Sequence, residues 1–222
     1  IRGAEIQNRR GKGLKGRLDD LIVDEEEAGQ YLNKVYAAAA CLPADGWQNR
    51  LFEGAPFGPM ESFLVRVREQ IYARTRGGEA YHSIETYTTN PSEELIEVAR
   101  ELSVALADLN APLKRLSSLL LKKLDMEADE LDTATRNRLE SISRSITRRC
   151  EIISDGWIPM LEAFNSGEKP MSHFIDWFEL SRIGGRESDV GMYRHWIDPS
   201  EPFANVVLKP AHGALITSAT LR

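Results

Sequence analysis

The most regular hydrophobic patterning runs from Leu95 to Leu120. Leu95, Ala99, Leu102, Leu106, Leu109, Leu113, Leu116 and Leu120 recur at alternating steps of four and three. That is a heptad seam, and a seam of this length needs an apolar partner of matching length. Asn90-Pro91-Ser92-Glu93 predicts the helix start: Asn90 as cap, Pro91 at the first helical position, where no N–H is needed, and Glu93 reaching back. Pro112 is expected to kink or loosen the seam. The pattern turns acidic from Asp125 to Asp132, which reads as a turn. A second seam then returns through Leu139, Ile142, Ile146, Cys150, Ile153, Trp157, Met160 and Phe164, with Gly167 placed to end it. A short connection favours antiparallel neighbours. The prediction is a long helical hairpin over 91–165.

The flanks are less regular. Residues 18–42 read as helix, with Asp24 to Glu27 at its acidic end. Residues 43–58 read as loop, because Gly46, Gly54, Pro56 and Gly58 punctuate them. Pro59 opens another helix carrying Phe63, Val67 and Ile71, with Gly77-Gly78 as its stop. Residues 80–89 alternate and carry β-formers, which predicts a strand. Phe174–Arg182 and Asp189–Asp198 predict a β-hairpin within 172–198, joined by a somewhat long loop that holds Gly184-Gly185 and open to pairing with the strand at 80–89. The expected fold class is α+β, mainly α, with a small antiparallel sheet.

Composition narrows the classes. The net charge of −6 argues against a wholly basic nucleic-acid binder but leaves room for local basic patches. One such patch is residues 1–17, with Arg9, Arg10, Lys12, Lys15 and Arg17 between glycines, which reads as a solvated lead-in. No run of 18 apolar residues predicts a membrane helix, and no membrane partner is expected. Cys41 and Cys150 are too few for a disulfide framework or for the four thiolates of an iron–sulfur cluster, and both read as core residues. The composition suits a cytoplasmic protein. His82, His173, His195 and His212 are scattered, without metal-ligand spacing, so no metal site is expected.

The C-terminal fifty residues carry the most specific chemistry. Ala214 to Ile216 can form a buried strand, and Thr217, Ser218, Ala219 and Thr220 place three hydroxyls at its end. Open α/β sheets bind ligands at such strand ends. With Arg194-His195-Trp196-Ile197-Asp198-Pro199, Pro202-Phe203-Ala204 and Pro210-Ala211-His212-Gly213, the stretch resembles the DinG/XPD-type superfamily 2 DNA helicases in a bacterial DinG-like form.

The resemblance implies an ATP-dependent DNA helicase moving 5′ to 3′ on single strands, with a DNA-repair connotation. In that family a largely helical arch domain is inserted between the acidic Mg²⁺ motif and motif III. Thr217, Ser218, Ala219 and Thr220 would be motif III, which couples the ATP site to the DNA cleft. The chain then divides into a lead-in at 1–17, an arch-like region at 18–205 and a return into the first motor domain at 206–222. Ile1 is not an initiator Met, which suits a piece of a longer protein. ATP and Mg²⁺ would be cofactors of the parent, not of this piece. Many members of the family carry an iron–sulfur cluster upstream of this region, and whether the parent has one is left open by these residues. The partners would be single-stranded DNA and the remaining motor domains.

The residues agree with that division of labour. No Gly-x-x-x-x-Gly-Lys-Ser/Thr phosphate loop occurs, and Asp24-Glu25-Glu26-Glu27 lacks the His of an Asp-Glu-x-His motif. The piece alone is expected to be catalytically inactive. Its candidate nucleic-acid contacts are Arg182, Arg186, Arg194, His195 and Trp196, by charge and stacking. The blander reading of Arg194-His195-Trp196 is a packed Trp196 with Arg194 and His195 facing solvent. Arg136, Arg138, Arg144, Arg148 and Arg149 along the second helical arm read first as a solvated face. The alternative to a helicase element is a free-standing helical module whose seams serve dimerisation or a protein partner.

Overall fold

The computed structural model describes residues 13–75, 81–166, 173–215 and 217. Helix α1 is Leu14–Leu18 and α2 is Glu26–Ala38, which tightens into a 3₁₀ turn at Ala39–Cys41. Short helix α3 (Trp47–Glu53) and long helix α4 (Gly58–Arg74) follow. Strand β1 (Ile84–Tyr87) leads to α5 (Glu93–Met126) and α6 (Thr133–Glu151). Helix α6 passes through a π-helical turn at Ile152–Trp157 into α7 (Ile158–Ser166). Strands β2 (Phe174–Ile183) and β3 (Arg186–Trp196) complete an antiparallel sheet of order β1-β2-β3. The last helical piece, α8 (Ser200–Phe203), runs into a π-helical turn at Ala204–Leu208. The chain is therefore α+β and mainly α.

The two predicted seams meet. All eight seam positions of α5 are buried, and so are Leu139, Ile142, Ile146, Cys150, Ile153 and Met160 on the returning arm. Trp157 packs partly buried against the same core. The side chain of Phe164 and all of Gly167 lie outside the described residues. The arms are joined at an acidic turn where Asp132 caps α6, its Oδ1 accepting from the N–H groups of Ala134 and Thr135 at 2.7 and 2.9 Å. Pro112 does not end α5, which is unbroken from Glu93 to Met126, and its ring is buried among the seam leucines. Helix α2 lays Ala28, Leu32 and Val35 against α5, and α4 lays Phe63, Val67 and Ile71 there.

Several boundaries differ from the sequence expectation for local reasons. The helix expected over 18–42 starts only at Glu26 as α2, because residues 19–25 form a turn that separates it from α1. Only residues 13–17 of the basic lead-in are described, and Leu14 to Arg17 are helical. The expected loop at 43–58 contains α3, bracketed by Gly46 (φ 78°) and Gly54 (φ 67°). Those glycines supply left-handed turns at its two ends rather than one continuous loop. Asn90 does not cap α5, because its own φ is 51°. Ser92 is extended and its Oγ accepts from the Leu95 N–H at 3.2 Å, so Pro91 precedes the cap. The strand expected over 80–89 is regular only at Ile84–Tyr87, and Gly77-Gly78 fall outside the described residues.

The β-hairpin is tighter than expected. Ile183 pairs with Arg186, so Gly184-Gly185 alone make the turn, with φ of 59° and 78°. Two consecutive left-handed residues are what a type I′ hairpin turn requires. One step further in, the register shifts: Arg182 opposes Glu187, but Ser181 opposes Asp189. Ser188 is the extra residue of a β-bulge. Beyond it Phe178, Leu180 and Val190 face the helices and are buried.

Candidate nucleic-acid interface

Arg194 is not on a solvent face. Asp176 and Arg194 are cross-strand partners on the helix-facing side. The Arg194 Nε and NH2 groups donate to the two Asp176 oxygens at 2.7 and 2.6 Å, a forked ion pair whose side chains are 10% and 5% exposed. The guanidinium also lies 4.9 Å from the centre of the Phe174 ring. Its charge is paired with Asp176 and its side chain is buried, so it is a packing residue. Trp196 continues the same face, tilted on Phe174 with ring centres 4.4 Å apart. His195 points to the opposite face. The sequence triplet is therefore split by the strand's alternation.

Arg182 and Arg186 lie at the hairpin end. Arg182 NH2 donates to the Tyr72 hydroxyl at 2.8 Å, and the Tyr72 hydroxyl donates to Glu187. Arg68 forks onto Glu187 at 2.8 and 3.2 Å. Burial by itself would raise the Glu187 pKa, but the Arg68 and Tyr72 bonds outweigh it and hold the carboxyl below its usual value. This cluster ties the hairpin to α4. Arg186 is exposed beside the turn.

The outward face of the sheet carries a group that the sequence did not reveal. Tyr87, Trp177 and Tyr193 occupy one row across all three strands. Trp177 and Tyr193 are stacked, with centres 5.6 Å apart and planes 18° apart. His195 meets Trp177 edge-on at 4.8 Å. Gly191 makes the arrangement possible: a Cβ there would stand 3.2 Å from the Tyr193 ring. Tyr87 and Ile175 on this face are exposed. Flat, accessible rings are the stacking component of single-strand recognition. The neighbouring row, however, is acidic, with Glu85 opposite Glu179. Glu179 accepts from Ser181 Oγ at 2.8 Å and from Trp177 Nε1 at 3.4 Å, which fixes the indole.

The cations of the second arm are largely engaged locally. Arg138 forks onto Asp20 at 2.7 and 2.8 Å and also reaches the Arg17 carbonyl. Arg144 pairs with Glu140, Arg136 reaches the Ala128 carbonyl and Arg149 bonds Ser145. Cys41 and Cys150 are buried, and burial pushes both thiols up to about 11. Among the described residues, no group of His, Cys, Asp and Glu is arranged to hold a metal ion. No helix among them is long and apolar enough to cross a membrane.

The C-terminal segment departs from the expected buried strand. Gly213, Ala214 and Leu215 have no regular structure, and Leu215 is 91% exposed. A strand needs ladder partners for its backbone groups, and the sheet of the described residues ends at β1 and β3 without reaching this segment. Thr217 is exposed, while Ile216, Ser218, Ala219 and Thr220 lie outside the described residues. Comparison with protein-family models, with curated proteins and with solved structures finds no match for this chain.

Proposed function

We propose that this chain is the arch region of a DinG/XPD-type ATP-dependent DNA helicase. In this reading it is an accessory element beside the single-strand channel, and ATP hydrolysis belongs to motor domains outside it. The observation that carries the reading is the combination of the sequence series ending in Thr217, Ser218, Ala219 and Thr220 with the exposure of the apolar segment before it. Leu215 stands in solvent with no strand beside it among the described residues, as expected for a segment whose sheet is supplied by other parts of a larger protein. A long helical hairpin joined to a small sheet suits an arch. The outward rings of Tyr87, Trp177 and Tyr193 supply a stacking surface, with His195 edge-on beside Trp177.

In the full-length protein, Thr217→Ala is expected to leave ATP hydrolysis in place while unwinding falls about tenfold, the size of a typical coupling between sites. The isolated chain is expected to turn over no ATP, with or without single-stranded DNA. Unchanged unwinding in the Thr217 and Thr220 alanine variants would remove the case for a coupling motif here.

A further inference from the structure

We propose that the cleft beside β3 receives an extended, basic–apolar polypeptide segment, which adds to β3 as a fourth strand. The cleft has a volume of ≈ 750 Å³ and lies between β3, the loop before α3, and helices α3, α4, α5 and α7. One wall is the strand itself, from Ser188 to Met192. Among the described residues β3 is an edge strand, and one side of its backbone has no ladder partner there. Which groups face that side follows from the pairing. Ile197 N–H donates to the His173 carbonyl at 2.9 Å, which makes 173 and 197 a hydrogen-bonded pair. Alternation along the ladder then turns the N–H and C=O of Val190 and Met192 away from β2 and towards the open edge.

Two side chains already act as partial substitutes for a partner strand. Asp189 Oδ1 accepts from the Val190 N–H at 2.9 Å, and Gln48 Nε2 donates to the Ser188 carbonyl at 2.6 Å. The Met192 groups on that side have no such substitute among the described residues. The β-bulge at Ser188 sits at the end of this row and marks where added pairing would stop.

The walls fix the side-chain chemistry. Trp47, Trp157, Met60, Met160 and Met192 line the cleft. Methionines adapt to differently shaped apolar side chains, as a peptide groove requires. Asp45 and Asp189 also line it, and among the described residues neither forms an ion pair with a cation. These carboxylates favour a basic residue on the incoming segment and disfavour phosphate, so nucleic acid is the wrong occupant. Backbone addition for affinity with pockets for alternate side chains is an established recognition mode. The five residues from Ser188 to Met192 offer an edge of about 16 Å, enough for a segment of about five residues.

The test titrates the chain with the peptide Lys-Leu-Val-Leu-Lys, following tryptophan fluorescence and hydrogen exchange at Val190 and Met192. Saturable binding with slowed exchange at Met192 is the expected result. Methylating alternate backbone nitrogens of the peptide should weaken binding at least about tenfold. The exposed pair Asp45→Lys and Asp189→Lys should do the same while leaving far-UV dichroism unchanged. Equal affinity for the methylated peptide, or for Glu-Leu-Val-Leu-Glu, would overturn the proposal. So would binding of an apolar dye that the unmodified peptide fails to displace.

Discussion

The helical hairpin and the three-stranded sheet solve the same problem in different ways. In α5 and α6 the contacts that matter are between seam positions, and each helix defines its seam by its own periodicity. Leu109 and Ile146 are both buried because each is where its own heptad puts it. The sheet has no such independence. Whether Trp177 stands beside Tyr193 depends on a turn length, a bulge and the alternation of two strands together. The helical region is specified element by element, and the sheet only as an assembly.

Four measurements would break or sharpen that contrast. The largest effect belongs in the hairpin: Leu109→Ala should cost about 4 kcal/mol in urea denaturation, since the side chain is fully buried. A loss below about 1 kcal/mol would mean the seam can collapse around the deletion. Next comes the sheet's buried ion pair. Arg194→Ala should cost about 3 kcal/mol by leaving the Asp176 carboxylate unpaired among apolar groups. Arg194→Met with Asp176→Leu should recover most of that, which a purely functional arginine would not allow.

The third probe is acid. Glu187 and Glu61 both have carboxyl groups held below the ordinary glutamate value. For Glu61, burial pushes the value up, and the bonds from Arg50, Phe57 N–H and Ala44 N–H outweigh it. A depressed folded-state value means that the stabilisation is complete above the unfolded value and is lost as pH falls through the folded one. Below about pH 4.5 the tie between β3 and α4 should therefore loosen. Near-UV dichroism from the sheet aromatics should change before far-UV dichroism from the helices, and coincident changes would contradict the contrast. The smallest effect is Gly185→Val, expected to cost about 1–2 kcal/mol because φ is 78° there. Thermal melts that match the parent would show that the turn relaxes to another form.

Legibility in the sequence followed the same divide. The hairpin could be read almost residue by residue, because heptad spacing is a property of one segment. Helix α3 was hidden, because Gly46 and Gly54 read equally well as loop and as the bounds of a seven-residue helix. The aromatic row was out of reach for a sharper reason. Even with Gly184-Gly185 recognised as the whole turn, simple counting pairs Trp177 with Met192. The extra residue at Ser188 moves the partner by one and puts Tyr193 there instead. A one-residue shift exchanges the faces of a strand, and no local signal announces a bulge. Arg194 was misplaced for a different reason: alternation puts it on the same face as Trp196, where it stands opposite Asp176 and is buried. The exposed segment from Gly213 to Leu215 shows another limit: an apolar run is a strand only when something pairs with it.

The place of β1 in the sheet bears on how the chain folds. Ile84 pairs with Leu180, and the whole helical hairpin lies between them in sequence. Closing so long a loop on a four-residue strand is entropically unfavourable until the intervening chain is already compact. The hairpin closes on near neighbours and should condense first, while docking of β1 sets the slower step. In stopped-flow refolding, helical signal should recover ahead of the Trp177 environment. Shortening the path between β1 and β2 by circular permutation should accelerate the late phase alone.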